Sequence, residues 1–257
     1  MSAAWRRIET WDASPVFAMG LDEALLRSVG APPTLRLYSW APDAVSLGYF
    51  QAFEDVPCAA EHPHVVRRLT GGGAIHHHAH ELTFSIAVDE DEPAYHGPVP
   101  RSYERVHAAI ARALTDLGLP AAGTRDERTV ASDVAGTGMC FHESTPLDPC
   151  WARADGALAK GVGTAQRRSR GRVLHHGSIK LGPSPLEPEI ATLSEVGIDV
   201  SAAEAGEALV DAIESVLGVR TAPGAATTAE AEAGAALGGR YGDPAFVHRE
   251  VRRRRGR

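Results

Sequence analysis

Three consecutive glycines, Gly71–Gly73, constrain this chain more than any other feature of its sequence. They lie in the stretch VVRRLTGGGAIHHHAHELTFSIAV, between β-branched residues and an alternating strand pattern. Glycine loses more chain entropy on folding than other residues and adds no side chain to a core, so such a run needs a local reason. We interpret the stretch as a hairpin whose turn lies over a ligand, with amides facing an acyl or phosphoryl oxygen and Arg67 or Arg68 adding charge. The alternative is a plain glycine hairpin without a ligand.

The composition limits the class of protein. A chain of 257 residues with 44% hydrophobic and 23% charged residues predicts one soluble globular domain. No apolar run approaches a membrane span and the N-terminal stretch MSAAWRRIETWD has no apolar leader, so we expect no membrane association and no export. Three cysteines fit reduced thiols and a cytoplasmic location. The net charge of −7 is unfavourable for nucleic-acid binding, and the run Arg252–Arg255 is expected to be a solvated tail.

Hydrophobic periodicity predicts both helices and strands along the chain. Helices are expected over residues 14–29, 54–61, 102–119, 202–217 and 228–237. Strands are expected over 5–13, 34–40 and 44–51, and residues 155–181 predict two strands joined by the turn RRSRG. The strands on either side of Pro42 and Asp43 are expected to form an antiparallel pair. No internal repeat or long linker marks a second domain.

A cluster of four histidines suggests a metal at first sight. In a strand, however, His76, His78 and His80 share one face while His77 takes the other. No carboxylate or cysteine lies at a familiar ligand spacing. We therefore expect polar or substrate-facing histidines and no metal.

The cysteines and one lysine are the candidates for covalent chemistry. A thiol becomes a useful nucleophile only where a positive charge or amide dipoles lower its pKa. Cys58 lies in a helical context and is expected to be packed, which leaves Cys140, in a glycine-rich stretch, and Cys150, in DPCW. Lys160, in AKGVGTAQ, is the candidate cation for either thiol, and the alternative is an exposed surface lysine.

A set of segments in fixed order resembles a known family. They are DEALL, TLRLYSW with AVSLGYFQ, RRLTGGGA, ELTFS, Lys160 with GTAQRR, LHHGSIKL and YGDPAF. In order and spacing they resemble the lipoate/octanoate branch of the biotin/lipoate protein ligase and transferase family. The resemblance implies an α+β fold, a single domain whose mixed, mostly antiparallel sheet is flanked by helices. It places a catalytic domain at residues 1–225 and a C-terminal helix with the basic tail at 226–257. The biotin branch is disfavoured because its alternating glycine and arginine loop is absent.

Within this branch the chain most resembles the cysteine-dependent octanoyltransferases. Their nucleophile lies in a Cys-Phe pair upstream of the lysine, which matches Cys140, Phe141 and Lys160. The resemblance implies transfer of an octanoyl or lipoyl group from octanoyl-acyl carrier protein, through Cys140, to a lysine of a lipoyl-type acceptor such as the glycine cleavage H protein or a 2-oxoacid dehydrogenase subunit. No cofactor is then expected. The implied substrate-binding residues are Arg68, Gly71, Gly72, Gly73, Ala74, His77, Gly163, Thr164, Ala165, His176 and Gly177.

Three departures from the family pattern leave alternatives open. His78 stands where the family often has aspartate, Gly73 stands where transferases often have arginine, and Cys140 precedes Lys160 by 20 positions, more than the pattern implies. One alternative is an ATP-dependent lipoate-protein ligase, which would use ATP and Mg with the cysteine incidental. Another is a non-catalytic subunit that binds lipoyl domains or carrier proteins.

Two further expectations concern how the substrates bind. The apolar octanoyl chain is expected along Val45, Leu47 and Ile75. The arginine-rich turn is expected either to dock acidic carrier proteins or to be a solvated hairpin tip. Its arginines are Arg167, Arg168, Arg170 and Arg172.

Overall fold

The computed structural model describes residues 4–251, so the basic run 252–255 lies outside the described residues. None of the helices within this range is long and apolar enough to cross a membrane. The helices are α1 (Pro15–Arg27), α2 (Pro57–Glu61), α3 (Val99–Asp116), α4 (Ala202–Leu217), α5 (Thr228–Tyr241) and α6 (Pro244–Val247). The strands are β1 (Trp5–Ala13), β2 (Thr34–Trp40), β3 (Ala44–Leu47), β4 (Val65–Arg67), β5 (Ile75–His77), β6 (Glu81–Asp89), β7 (Gly123–Thr124), β8 (Pro149–Ala152), β9 (Leu158–Lys160), β10 (Val162–Ser169), β11 (Arg172–Lys180) and β12 (Thr221–Pro223).

The largest sheet has six strands in the order β10-β11-β6-β2-β1-β12. Strand β1 runs parallel to β2 and β12, and the other neighbours are antiparallel. One face of the sheet packs on α3 and α4, where Phe84 and Ile86 meet Ile110 and Leu209 in the main core. The opposite face packs on α1, and α5 lies against α1. A mixed, mostly antiparallel sheet flanked by helices confirms the predicted fold class.

Helix α5 belongs to the same folded body as the sheet. A Cβ atom at Gly20 of α1 would lie 2.0 Å from the carbonyl oxygen of Gly234, so only glycine permits this helix approach. The Arg6 guanidinium on β1 donates hydrogen bonds to both carboxylate oxygens of Glu230, each at 2.7 Å. Helix α5 is therefore joined to α1 by close packing and to β1 by an ion pair.

The predicted pairing across Pro42 is wrong. Strand β3 does not pair with β2, because both edges of β2 are already occupied by β1 and β6. Instead β3 is the central strand of a second sheet, in the order β4-β3-β5. The glycine stretch is for the same reason not a hairpin turn: β4 and β5 lie on opposite sides of β3, and the glycines cross from one to the other.

The predicted hairpin near the end of the sheet is confirmed for residues 162–180, with β10 and β11 antiparallel around a turn at Arg170 and Gly171. Residues 158–160, predicted as part of its first strand, form the separate strand β9, which pairs with β8. One arginine of the hairpin departs from the prediction. Arg172 is 1% exposed, and its guanidinium donates to the carboxylate of Asp89 at 2.7 Å. It is therefore neither a docking residue nor part of a solvated tip.

Candidate active site

A cleft lies between the two sheets described above, and its exposed lining is mostly apolar. Such a concave, apolar site with a few polar groups is typical of a small-molecule binding site. The cleft is lined by Met19, Tyr38, Trp40, Arg68, Gly72, Ile75, His77, Thr83, Cys140, Gly163, Thr164, Ala165, His176 and Gly177.

Cys140 is held at this cleft by backbone pairing with the segment after the glycines. Its amide donates to the carbonyl of Ala74 at 2.6 Å, and the Ala74 amide donates to the carbonyl of Gly138 at 2.8 Å. Cys140 then begins a short 3₁₀ turn that ends at residue 142. A Cβ atom at Gly163 would lie 3.2 Å from the Cys140 sulfur, so the glycine leaves room beside the thiol.

Lys160 provides an ammonium group next to this thiol. Its Nζ atom lies 3.7 Å from the Cys140 sulfur and donates to the carbonyls of Cys140 at 2.8 Å and Glu143 at 3.0 Å. It also pairs with the Asp148 carboxylate at 2.9 Å. Burial lowers the pKa of Lys160, but the negative charges of Cys140 and Asp148 outweigh this and raise it. Lys160 is therefore a buried, charged lysine and not an exposed surface residue.

The other two cysteines lack this environment. Cys150 is 1% exposed, and burial together with the nearby Asp148 raises its pKa to about 12. Burial also raises the pKa of Cys58, whose sulfur contacts that of Met139 at 3.5 Å. Both are uncharged thiols near neutral pH, so they are poor nucleophiles.

The glycine segment is fixed by Arg68, which is 3% exposed. Its Nη2 group donates to the carbonyls of Gly71 at 2.8 Å and Gly73 at 2.6 Å, and its Nη1 group donates to the Ser46 carbonyl at 2.9 Å. A Cβ atom at Gly73 would lie 2.8 Å from the amide nitrogen of Cys140, so no side chain fits there. The segment thus packs bare backbone against the backbone of Cys140. Within residues 4–251, the amides of Gly71, Gly72 and Gly73 donate no hydrogen bond.

A chain of buried hydrogen bonds runs from α1 to Arg68. The Asp22 carboxylate accepts from Nδ1 of His176 at 2.9 Å, and Nε2 of the same ring lies 2.7 Å from the Thr70 hydroxyl. The Thr70 oxygen in turn accepts from Nε of Arg68 at 3.2 Å. Asp22 also pairs with the fully buried Arg36 at 2.8 Å. Each link fixes the orientation of the next, so Arg68 is held rigidly at the cleft wall.

His77 forms a second fixed wall of the cleft. Its ring stacks on Trp40 with centroids 3.9 Å apart, and its Nδ1 atom lies 2.5 Å from the Glu81 carboxylate. Its Nε2 atom accepts from the Ser46 hydroxyl at 2.8 Å. Burial lowers the pKa of His77 although Glu81 opposes the shift, which favours the neutral ring. Among the described residues, no group of three or more histidine, cysteine or carboxylate side chains is arranged to hold a metal ion.

Most of the residues that the sequence predicted for the site do meet at the cleft. Gly71, Gly73, Ala74 and Lys160 do not line it but lie directly behind it. The expected path of the acyl chain is partly wrong: Ile75 lines the cleft, whereas Val45 and Leu47 pack into a separate apolar cluster. The reason is that β3 turns these two side chains away from the large sheet.

The sequence also left several site residues without a role. Met19, Tyr38, Trp40 and Thr83 form much of the apolar wall, and Asp148 pairs with Lys160. A signal existed for Trp40 and Tyr38, which alternate with the core-facing Leu35 and Leu37 on β2. No local pattern marks Asp148, because its contact with Lys160 arises from the tertiary pairing of β8 with β9.

The fold and the site together define a class of protein. A thiol beside a buried ammonium group, under unpaired backbone amides and open to an apolar cleft, is the arrangement of an acyl-transferring enzyme.

Comparisons with known proteins agree with this class. A family model described as the lipoyl protein ligase A/B catalytic domain matches residues 14–186. The octanoyltransferase LipM of Moorella thermoacetica is 40% identical over 190 residues, which cover 69% of this chain and 65% of that protein. The LipM of Kyrpidia tusciae is 34% identical over 268 residues, covering 92% of this chain and 96% of that protein. The chain therefore belongs to the lipoyl protein ligase A/B catalytic-domain family, and the predicted family and acyltransferase class are confirmed.

A solved structure supports the fold independently. The bi-partite lipoate protein ligase from Thermoplasma acidophilum superimposes with a TM-score of 0.74, covering 100% of both chains at 20% sequence identity. At this identity the likeness concerns the fold alone.

Proposed function

We propose that this protein is an octanoyltransferase of protein lipoylation. It moves an octanoyl or lipoyl group from acyl carrier protein to a lysine of a lipoyl-type acceptor domain, through an acyl-enzyme on Cys140. The observation that carries the proposal is the 3.7 Å distance between the Lys160 ammonium nitrogen and the Cys140 sulfur at the end of an apolar cleft. Likeness to the two LipM octanoyltransferases supports the choice of acyl group. Three free cysteines support a cytoplasmic location for this reaction.

In the first half-reaction the Cys140 thiolate attacks the carbonyl carbon of the donor thioester. The ammonium of Lys160 stabilises the thiolate before attack, because opposite charges attract strongly where water is excluded. Gly72 lines the cleft and its amide has no acceptor among the described residues, so it can donate to the oxyanion, an effect typically worth about 3 kcal/mol per donor. The bond between the carbonyl carbon and the donor sulfur breaks, and the leaving thiolate takes a proton from Lys160.

Acylation changes the charge around Lys160 in the direction that this proton transfer needs. Thioester formation removes the negative charge of Cys140, one of the two anions that raise the pKa of Lys160. Burial, which lowers the pKa of Lys160, then carries more weight. The lysine therefore holds its proton before attack and gives it up more readily afterwards.

In the second half-reaction the neutral ε-amine of the acceptor lysine attacks the same carbonyl carbon. The carbon–sulfur bond to Cys140 breaks, the amide forms, and the amine proton passes to the neutral Lys160. Thiolate and ammonium are then restored as a pair. Because one thioester replaces another in the first step and a stable amide forms in the second, no ATP and no cofactor are required.

Mass spectrometry tests the proposal directly. The wild-type protein is incubated with octanoyl-acyl carrier protein without ATP, and an octanoyl adduct is expected on Cys140. The adduct should be absent from Cys140→Ala and present in the matched control Cys150→Ala, which removes the buried thiol of Cys150. Addition of an acceptor such as the glycine cleavage H protein should discharge the adduct to one acceptor lysine.

Two results would replace the proposal with a different function. ATP- and Mg-dependent lipoylation that survives Cys140→Ala would indicate a ligase. Carrier or acceptor binding with neither activity would indicate a non-catalytic subunit.

A further inference from the structure

A second cleft opens near the first, and its lining includes residues of strand β10 that lie further along the same strand. We call it the arginine cleft, defined by Arg27, Arg167, Arg170 and Arg240 together with Tyr49 and Glu23. Strand β10 connects the two sites: its residues Gly163 and Ala165 line the active-site cleft, and Arg167 lines the arginine cleft. Alternate residues of a strand share a face, so Gly163 and Arg167 lie about 13 Å apart along it.

The net charge of the arginine cleft is opposite in sign to that of the whole protein. Four arginines line it with one glutamate, which gives the lining a net charge of +3, whereas the chain as a whole carries −7. Glu23 is already engaged, because it accepts from Arg27, from Arg240 and from the Tyr241 hydroxyl. The positive charge of Arg167 and Arg170 is therefore left uncompensated by any carboxylate in the lining.

Arg167 is positioned by the protein but keeps most of its hydrogen-bond donors. Its Nη1 group donates to the Leu69 carbonyl at 3.0 Å, and its guanidinium lies 5.2 Å from the centre of the Tyr49 ring. A guanidinium has five N–H donors, and this is the single hydrogen bond from Arg167 to another described residue. Arg170, at the exposed hairpin tip, has no hydrogen bond or ion pair within residues 4–251. Both arginines are therefore available to an anion.

The proposed function indicates which anion would bind in the arginine cleft. An acyl carrier protein holds its acyl group as a thioester on a phosphopantetheine arm, so each donor molecule carries one phosphate at a limited reach from the reacting carbonyl. When that carbonyl lies at Cys140, an extended arm running along β10 reaches the arginine cleft. Arginine forks match phosphate oxygens in a bidentate way, which favours a phosphate over other small groups.

We propose that the arginine cleft binds the phosphate of the donor's pantetheine arm, with Arg167 and Arg170 as its ligands. The inference rests on the proposed function and adds to it a recognition site outside the reacting centre. Because the site is concave, it suits a small phosphate group better than a flat acidic protein surface. Phosphate binding here would position the thioester at the thiol before attack.

A pair of small donors tests the proposal. S-octanoyl-4′-phosphopantetheine and S-octanoylpantetheine differ by the phosphate alone, and the rate of Cys140 octanoylation is measured for both by mass spectrometry. We expect wild-type protein to react about tenfold faster per unit concentration with the phosphorylated donor. In Arg170→Ala this preference should fall about fivefold, while the rate with S-octanoylpantetheine stays unchanged. Arg101→Ala, which removes an exposed arginine on α3 that pairs with Glu104, should keep the full preference.

Two outcomes would overturn the phosphate site. The first is equal rates with the two small donors in wild-type protein. The second is an Arg170→Ala defect seen with intact octanoyl-acyl carrier protein but with neither small donor, which would assign the arginines to an acidic protein surface. In both cases Cys140 would still be octanoylated by S-octanoylpantetheine, so the failure is distinguishable from failure of the proposed function, in which no donor forms an adduct.

Discussion

Replacing Lys160 with alanine separates the electrostatic role of this lysine from its structural one. With Nζ 3.7 Å from the Cys140 sulfur, the attraction between ammonium and thiolate is about 4 kcal/mol at an effective dielectric constant of about 20. An energy of this size corresponds to a rate loss of about 10³-fold. We therefore expect Lys160→Ala to reduce Cys140 octanoylation by about that factor.

The same substitution should also lower stability without abolishing the fold. Asp148 is 7% exposed and loses its ion-pair partner at 2.9 Å, while the carbonyls of Cys140 and Glu143 lose a donor. Removing one partner of a buried pair typically costs about 3 kcal/mol. In the double variant Lys160→Ala/Asp148→Asn the unpaired charge is absent. It should therefore recover part of the stability and none of the activity.

The assay follows the thiolate directly. Alkylation of Cys140 by iodoacetamide is measured against pH, with urea unfolding of each variant measured in parallel. The ammonium group beside the sulfur favours its reactive, charged form, so Cys140 of Lys160→Ala should be alkylated more slowly than that of wild type near neutral pH. An unchanged alkylation profile together with a wild-type octanoylation rate would refute the role of Lys160. Loss of rate that returns with stability in the double variant would show that its role is structural.

Three further substitutions test the elements around the site. Arg68→Lys keeps the charge but not the fork that holds the glycine segment, so we expect a stability loss of about 3 kcal/mol in urea and faster amide exchange in that segment. Gly73→Ala places a Cβ atom 2.8 Å from the Cys140 amide nitrogen, and the displaced thiol should octanoylate about 10²-fold more slowly in the mass-spectrometric assay. Burial alone would raise the pKa of Glu230, but pairing with Arg6 contributes to lowering that pKa to about 2. The ion pair therefore stabilises the fold by about 2 kcal/mol above pH 4.5, and this stabilisation is lost as the pH falls towards 2. Acid unfolding followed by circular dichroism should show that loss in wild type. The stability difference between wild type and Glu230→Gln should be full above pH 4.5 and should shrink as the pH falls towards about 2.

The sequence predicted those parts of the fold that depend on local patterns. The helix at Ala202–Leu217 agrees with its prediction because a stripe at four-residue steps and a capping box at Ser201 specify it within the segment itself. The sequence also predicted strand β3, but it did not predict which strands pair with it. Strand pairing depends on residues that are distant in the sequence. Residues 44–47 carry no information that both edges of β2 pair with other strands. The glycine crossing was misread as a hairpin for the same reason.

At the candidate site, too, the residues that depend on tertiary contacts could not be predicted from local sequence patterns. Cys140 and Lys160 were identified through resemblance to a family, because they lie 20 positions apart and no periodicity in the sequence reveals their contact. This separation is longer than the family pattern implies. In the structure that stretch contains β8, which pairs with β9 and carries Asp148 to the lysine. The long segment between Cys140 and Lys160 therefore contributes to the site by positioning Asp148, the counterion of Lys160.

A comparison of two buried lysines, Lys160 and Lys180, explains why Lys160 suits a reactive thiol. Lys180 is enclosed by fixed anions, with the carboxylates of Glu81 at 2.8 Å and Glu187 at 3.3 Å. Lys160 has one carboxylate, Asp148, and the position of a second anion is occupied by the sulfur of Cys140. Burial lowers the pKa of both lysines and nearby negative charge raises both, but only at Lys160 does part of that charge reside on an atom that can form and lose a covalent bond. The electrostatic balance of Lys180 is therefore constant, whereas that of Lys160 changes each time the sulfur is acylated and released.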